Sequence, residues 1–81
     1  MKARVYVTLK QSVFDPQGQT IADALHSLGY RSVGDVRQGK FFELELDAGS
    51  AGQARQIASE VADKVLANPV IESFRVEVDG Q

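Results

Sequence analysis

The sequence predicts an α+β fold, a two-layer βαββαβ sandwich in which an antiparallel sheet carries two helices on one face. Three observations predict it. Several stretches alternate apolar and polar residues at a period of two, two others repeat apolar residues at helical spacing, and capping or breaking residues stand where the period changes. At 81 residues the chain is expected to form a single domain spanning 1–81, because smaller pieces could not bury enough apolar surface to offset chain entropy.

Lys2 to Lys10 opens the chain with Ala3, Val5, Val7 and Leu9 on one face and Arg4, Tyr6, Thr8 and Lys10 on the other, a half-buried strand. A helix must then start at Asp15-Pro16-Gln17-Gly18. Asp15 can accept from the free amides of the first turn, and Pro16 at the first helical position sacrifices no hydrogen bond. The helix is predicted over Pro16 to Leu28, with a core stripe of Ile21, Leu25 and Leu28, and Gly29 supplies its left-handed cap. Val33 to Gln38 and Lys40 to Asp47 read as a β-hairpin turning at Gly39. Ser50 is placed to cap a second helix running to about Ala67, with Ala54, Ile57, Ala58, Val61 and Val65 as its stripe and Glu60 and Lys64 as an exposed pair. Asn68-Pro69 ends it, and Val70 to Asp79 is the last strand. The simplest packing of this order is ferredoxin-like, with right-handed crossovers and the first strand between the third and fourth. The open sheet face would then carry Arg4, Tyr6, Thr8, Phe41, Glu43, Glu45, Arg75 and Glu77.

Composition narrows the function. Apolar residues make up 43% and charged residues 25%, ordinary globular values, so disorder is expected only at Asp79-Gly80-Gln81. The absence of cysteine removes disulfides, a thiol nucleophile and thiolate metal sites, and it fits a cytoplasmic location. Met1 to Val7 carries a charge too often for a signal peptide or a membrane span. A net charge of -2 with scattered basic residues argues against nucleic acid. Cores of this size contribute only roughly 3 to 5 kcal/mol, so assembly into oligomers is expected.

No catalytic constellation emerges. His26, the only histidine, reads as a solvated helix residue, the aspartates lie on different elements, and no glycine run has phosphate-loop spacing. Tyr6 and Phe41 could suggest base stacking, but Glu43, Glu45 and Glu77 on the same face would repel phosphates; a face meeting another protein fits better.

Val5 to Lys10, Asp15 to Gly18, Ala24 to Tyr30, Val36 to Lys40 and Leu66 to Glu72 together resemble the PurS family, the small subunit of phosphoribosylformylglycinamidine synthase. The likeness spans nearly the whole chain, and Ala48 to Gln56 carries no signature of the family. What the resemblance implies is a non-catalytic subunit, dimeric, that bridges a large synthetase subunit holding ATP, magnesium and formylglycinamide ribonucleotide to a glutaminase subunit that releases ammonia. It implies no cofactor or metal on this chain. Arg37, Lys40 and Glu72 become candidate partner contacts, Asp15 and Gln17 a shaped corner that docks or simply folds, and Tyr6 and Phe41 contacts on the sheet face. Two other classes share the architecture. A stand-alone module binding a small metabolite stays open on fold alone; a small phosphatase would need an anion-binding arginine loop that Val13 to Pro16 does not offer. Edge pairing and packing of open sheet faces are both open as modes of dimerisation.

Overall fold

The computed structural model describes residues 1–79. Strand β1 (Lys2–Leu9) is the centre of a three-stranded antiparallel sheet, with β2 (Gly39–Glu45) on one side and β3 (Glu72–Val78) on the other. The register sets Val5 opposite Phe42 and Val76, and Tyr6 opposite Phe41 and Arg75. Backbone bonds extend both ladders past the strands, from Leu46 N–H to the Met1 carbonyl, from Lys10 N–H to that of Ile71 and from Asp79 N–H to that of Lys2. Asp79, expected to be disordered, is tied down by that bond and by a 2.7 Å contact with Arg4 Nη1; Gly80 and Gln81 lie outside the described residues.

Helix α1 (Pro16–Ser27) is capped by Asp15 and ends at Gly29, whose φ of 100° no side chain tolerates well. Helix α2 (Ala51–Val61) is capped by Ser50, whose Oγ accepts from Gln53 N–H while Gln53 Oε1 accepts from Gly49 N–H, a reciprocal pair that satisfies two amides at once. The ferredoxin-like α+β arrangement is present, with one strand fewer than the sequence suggests.

Val33 to Gln38 is not a strand, and Gln38-Gly39-Lys40 is not a hairpin turn. Gly39 and Lys40 begin β2, opposite Thr8 and Val7. The upstream stretch instead forms a strap along α1, where its polar groups find their partners. Gln38 N–H donates to Asp15 Oδ2 at 2.8 Å, and the Val33 carbonyl lies 2.6 Å from His26 Nε2. Because a carbonyl only accepts, Nε2 carries the proton in that contact, and His26 is a half-buried clasp where the sequence suggests a solvated residue.

The core is assembled from small side chains. Ala3, Val5, Val7 and Val78 of the sheet meet Ala54, Ala58, Ala62 and Ala67, and α2 packs on β1 and β3. No residue of α1 joins this cluster. Its buried residues are Gly18, which lies against Val36 of the strap, and Ala22, while Ile21 and Leu28 of the expected stripe are 38% and 73% exposed and Leu25 is half-buried. The second helix runs on through a π-helical turn, Ala62–Leu66, in which Ala67 N–H reaches back five residues to the Ala62 carbonyl. The wider turn brings Ala67 into the core and turns Val65, expected in the stripe, to 76% exposure. Glu60 and Lys64 form no ion pair among the described residues.

Gly18 tests how closely α1 and the strap are fitted. A Cβ there would lie 2.0 Å from the Val36 carbonyl oxygen, which is backbone and cannot swing aside. Gly18→Ala should therefore lower stability by about 1–3 kcal/mol in urea unfolding, against a helix-propensity gain of about 1 kcal/mol. A stabilised variant would show that the strap is loosely held.

Candidate functional site

Four of the sequence-selected residues converge at one end of the sheet. Asp15, Gln17, Lys40 and Glu72 line a cleft of about 320 Å³, floored by Val7, Thr8 and Leu9 and closed by Gln38 and Gly39. Lys40 and Glu72 come together because they flank β1 at Val7 and Leu9, whose side chains share one face of the pleat. Lys40 Nζ lies 3.6 Å from Glu72 Oε2 and 3.3 Å from the Leu66 carbonyl, which the end of the π-helical turn leaves without a helical partner. Glu72 is 15% exposed, and its Oε1 accepts from Asn68 N–H at 2.7 Å; Asn68 Oδ1 in turn accepts from Val70 N–H. Lys40 thus clips the edge strand β2 to the end of the second helix and to β3.

Asp15 is the buried member, at 7% exposure. Its Oδ1 accepts from Gly18 N–H at 2.9 Å and its Oδ2 from Gln38 N–H at 2.8 Å. These two amides, Gly18 first, hold its carboxyl below the usual carboxylate range, with the Arg37 charge adding to them against burial. Arg37 does not stand at a hairpin tip. Its guanidinium donates to the carbonyls of Val13 at 2.7 Å and Gln11 at 3.1 Å, locking the loop between β1 and α1. Gln17 Oε1 accepts from Gln38 Nε2 at 3.0 Å. Gln38 is not among the residues that sequence reasoning selects, although it lies within the Val36 to Lys40 stretch that carries the resemblance.

Tyr6 and Phe41 lie apart from the cleft, on the opposite sheet face. Their ring centroids are 5.1 Å apart, and the Arg75 guanidinium carbon sits 4.2 Å from the Tyr6 centroid. Tyr6 Oη donates to Glu77 Oε1 at 2.9 Å. That bond, followed by the one from Arg75, keeps the Glu77 carboxyl below its ordinary value, and Asp79 and Glu77 in turn raise that of Arg4. As expected, Arg4, Tyr6, Phe41, Glu43, Arg75 and Glu77 share the open face, where opposite charges are paired across strands.

Among the described residues, no group of three or more His, Cys, Asp or Glu side chains could hold a metal ion, and no helix is long and apolar enough to cross a membrane. Fold and site define a small α+β module of ferredoxin-like arrangement, whose charged side chains fix its own corners and sheet face. The sequence matches, over residues 2–80, the family described as PurS: Phosphoribosylformylglycinamidine (FGAM) synthase, and the chain belongs to that family. It is 47% identical to the phosphoribosylformylglycinamidine synthase subunit PurS of Bacillus subtilis (strain 168), over 96% of this chain and 92% of that one, and 44% identical to the subunit of the same name from Mycobacterium leprae, over 99% and 98%. Among solved structures it resembles B. subtilis PurS with a TM-score of 0.83 at 46% identity, covering 96% of each chain. It also resembles a chain in the structure of PurLQS from Thermotoga maritima, with a TM-score of 0.86 at 31% identity over 95% of this chain and 94% of that one.

The geometry gives two pH-linked expectations. Because the Asp15 carboxyl is depressed in the folded state, its stabilisation is complete above about pH 4, the unfolded value, and is lost as pH falls through the folded one. Asp15→Asn keeps one acceptor and leaves either Gly18 N–H or Gln38 N–H unpaired. The urea midpoints of wild type and variant should therefore differ at pH 7 and converge as pH falls below about 4, the unfolded value, and through the lower folded one; a gap independent of pH would overturn this. Tyr6→Phe should move the Glu77 carboxyl up toward its ordinary 4.5 in an NMR titration, and an unchanged curve would assign the shift to the arginines alone.

Proposed function

We propose that this chain is a non-catalytic assembly subunit of FGAM synthase, acting in the cytoplasm as a homodimer that joins a large synthetase subunit to a glutaminase subunit. The observation that carries this reading is the near full-length likeness to a chain of the PurLQS structure, in a family whose relatives are named as FGAM synthase subunits. The chain's own chemistry supports it, since the carboxylates and cations of the cleft are engaged with backbone and with each other. On this reading ATP and magnesium belong to the synthetase subunit and this chain holds neither. Its physical contribution is proximity: ammonia released at one site meets the acceptor at high effective concentration before it escapes to water.

Partner contacts fall to the side chains that reach the surface. Phe41 is 53% exposed, the Lys40 side chain 52%, and Gln17 is exposed at the cleft mouth. Tyr6 packs beside Phe41 across the strands, and Asp15, Arg37 and Glu72 hold the corner that presents the others.

Reconstitution with the synthetase and glutaminase subunits tests the proposal. Omitting this chain should abolish most glutamine-dependent FGAM formation while ammonium salts still support the synthetase reaction. Equal glutamine-dependent turnover with and without the chain would sink it.

A further inference from the structure

The end of the second helix can be built in two ways, and the apolar spacing favours the one the structure does not show. A continuous α-helix through Leu66 would set Val65 on the core stripe with Ala54, Ala58 and Ala62, at i, i+4, i+8 and i+11. It would send Ala67 N–H to the Asp63 carbonyl, four residues back, and would bury a valine in place of an alanine, with more apolar area removed from water. Instead, Ala67 N–H bonds the Ala62 carbonyl at 2.8 Å, Ala67 is buried, and Val65 is 76% exposed. A π-helical turn is seldom the better local choice, so a group outside the helix has to hold this one.

The Lys40–Glu72 pair is placed to do so, because it grips the chain on both sides of Ala67. Lys40 Nζ donates to the Leu66 carbonyl at 3.3 Å, Glu72 Oε1 accepts from Asn68 N–H at 2.7 Å, and the 3.6 Å ion pair joins the two holds. Both side chains stand on strands, Lys40 on β2 and Glu72 on β3, so the footing of this clamp is the sheet. Its two arms are unequal. Glu72 is 15% exposed and fixed by the Asn68 amide, whereas the Lys40 side chain is half-exposed at the cleft and can be drawn away.

We propose that Lys40 is a positioning residue that selects the π register, and that withdrawing its ammonium from the Leu66 carbonyl lets the turn revert to an α-helix, exchanging Ala67 for Val65 in the core. The cleft and the end of the second helix are then two ends of one switch. A carboxylate that takes Lys40 at the cleft withdraws Val65 from the surface; by reciprocity, a contact that keeps Val65 at the surface keeps Lys40 on the Leu66 carbonyl. The switch is a property of this fold and stands or falls separately from the subunit assignment.

NMR couplings across hydrogen bonds, measured on the full chain labelled with nitrogen-15 and carbon-13, read the register directly. In the wild type they should join the Ala67 amide nitrogen to the Ala62 carbonyl carbon. In Lys40→Met, which keeps the aliphatic stem and loses the cation, they should join it to that of Asp63; a folded Lys40→Met with the Ala62 coupling intact would overturn the proposal. The sequence contains no cysteine, so an introduced thiol reports without interference. The thiol of Val65→Cys should react with an aromatic disulfide reagent about tenfold more slowly once Lys40→Met is added, because the side chain has turned inward. Lys40→Arg, which still offers donors to Leu66 and Glu72, should keep the rate within about twofold of the parent. A lysine that only stabilises the fold predicts the opposite sign, since a loosened helix end reacts faster. An equal or faster rate in Lys40→Met, or a rate in Lys40→Arg as slow as in Lys40→Met, would overturn the proposal. If Lys40→Met does not fold, Glu72→Gln decides, because it keeps an acceptor for Asn68 N–H and removes the charge that steadies Lys40. A slower thiol reaction there supports the switch, and an unchanged or faster one overturns it.

Discussion

The bridge made by the Asp15 carboxylate decides the shape of the molecule. One oxygen holds the first turn of α1 and the other holds Gln38, the residue just before β2 begins. The start of the helix and the start of the strand that follows it are therefore pinned to a single side chain, although 23 residues separate the two partners in the second bond. Arg37, next to Gln38, closes the same corner from outside by binding the carbonyls of Gln11 and Val13. With both ends fixed, everything from Pro16 to Gln38 must travel out and back as one unit, and it does so as a helix with a strap held against it at Asp15, Gly18 and His26.

Much of this is legible in the sequence because it depends on neighbouring residues. The alternation of β1 and β3, the caps at Asp15 and Ser50, the stop at Gly29 and the membership of the open sheet face all follow from spacing and side-chain chemistry. The strap is not legible, because Val33 and Val36 look like one arm of a hairpin and nothing local reveals that Asp15 and His26 will take its backbone groups. The stripe of α1 is correctly periodic, yet periodicity identifies an apolar face without saying what covers it. The π-helical turn is likewise invisible, since it depends on Ala67 closing back onto Ala62. At the candidate site, resemblance selects Asp15, Gln17, Lys40 and Glu72, whereas their convergence requires the register of β1 with both neighbours.

The two faces of the sheet are finished in different ways. On the open face, cross-strand pairs neutralise one another: Arg4 with Glu77 and Asp79, Lys2 with Glu43, and Arg75 stacked on Tyr6 while binding Glu77. That surface can face water without penalty, and it can meet a partner through Phe41 without first breaking a buried charge pair. The inner face is closed over β1 and β3 by alanines of α2, which permit close approach of helix and sheet but cover little area apiece.

A core of alanine and valine has a consequence for stability. Burial stabilises in proportion to apolar area, roughly 25 cal/mol per Å², and the largest fully buried side chains here are Val5 and Val7. Phe42, Leu44, Leu46, Leu66 and Phe74 pack partly buried against that core, while Phe14, Leu28, Tyr30 and Phe41 are at the surface. Those four carry much of the area that could be removed from water and contribute little to the isolated fold. Any contact that covers them adds stability the monomer lacks, so folding and assembly draw on the same residues. For a chain whose cleft charges are already engaged with its own backbone, the apolar surface is where free energy for association is still available.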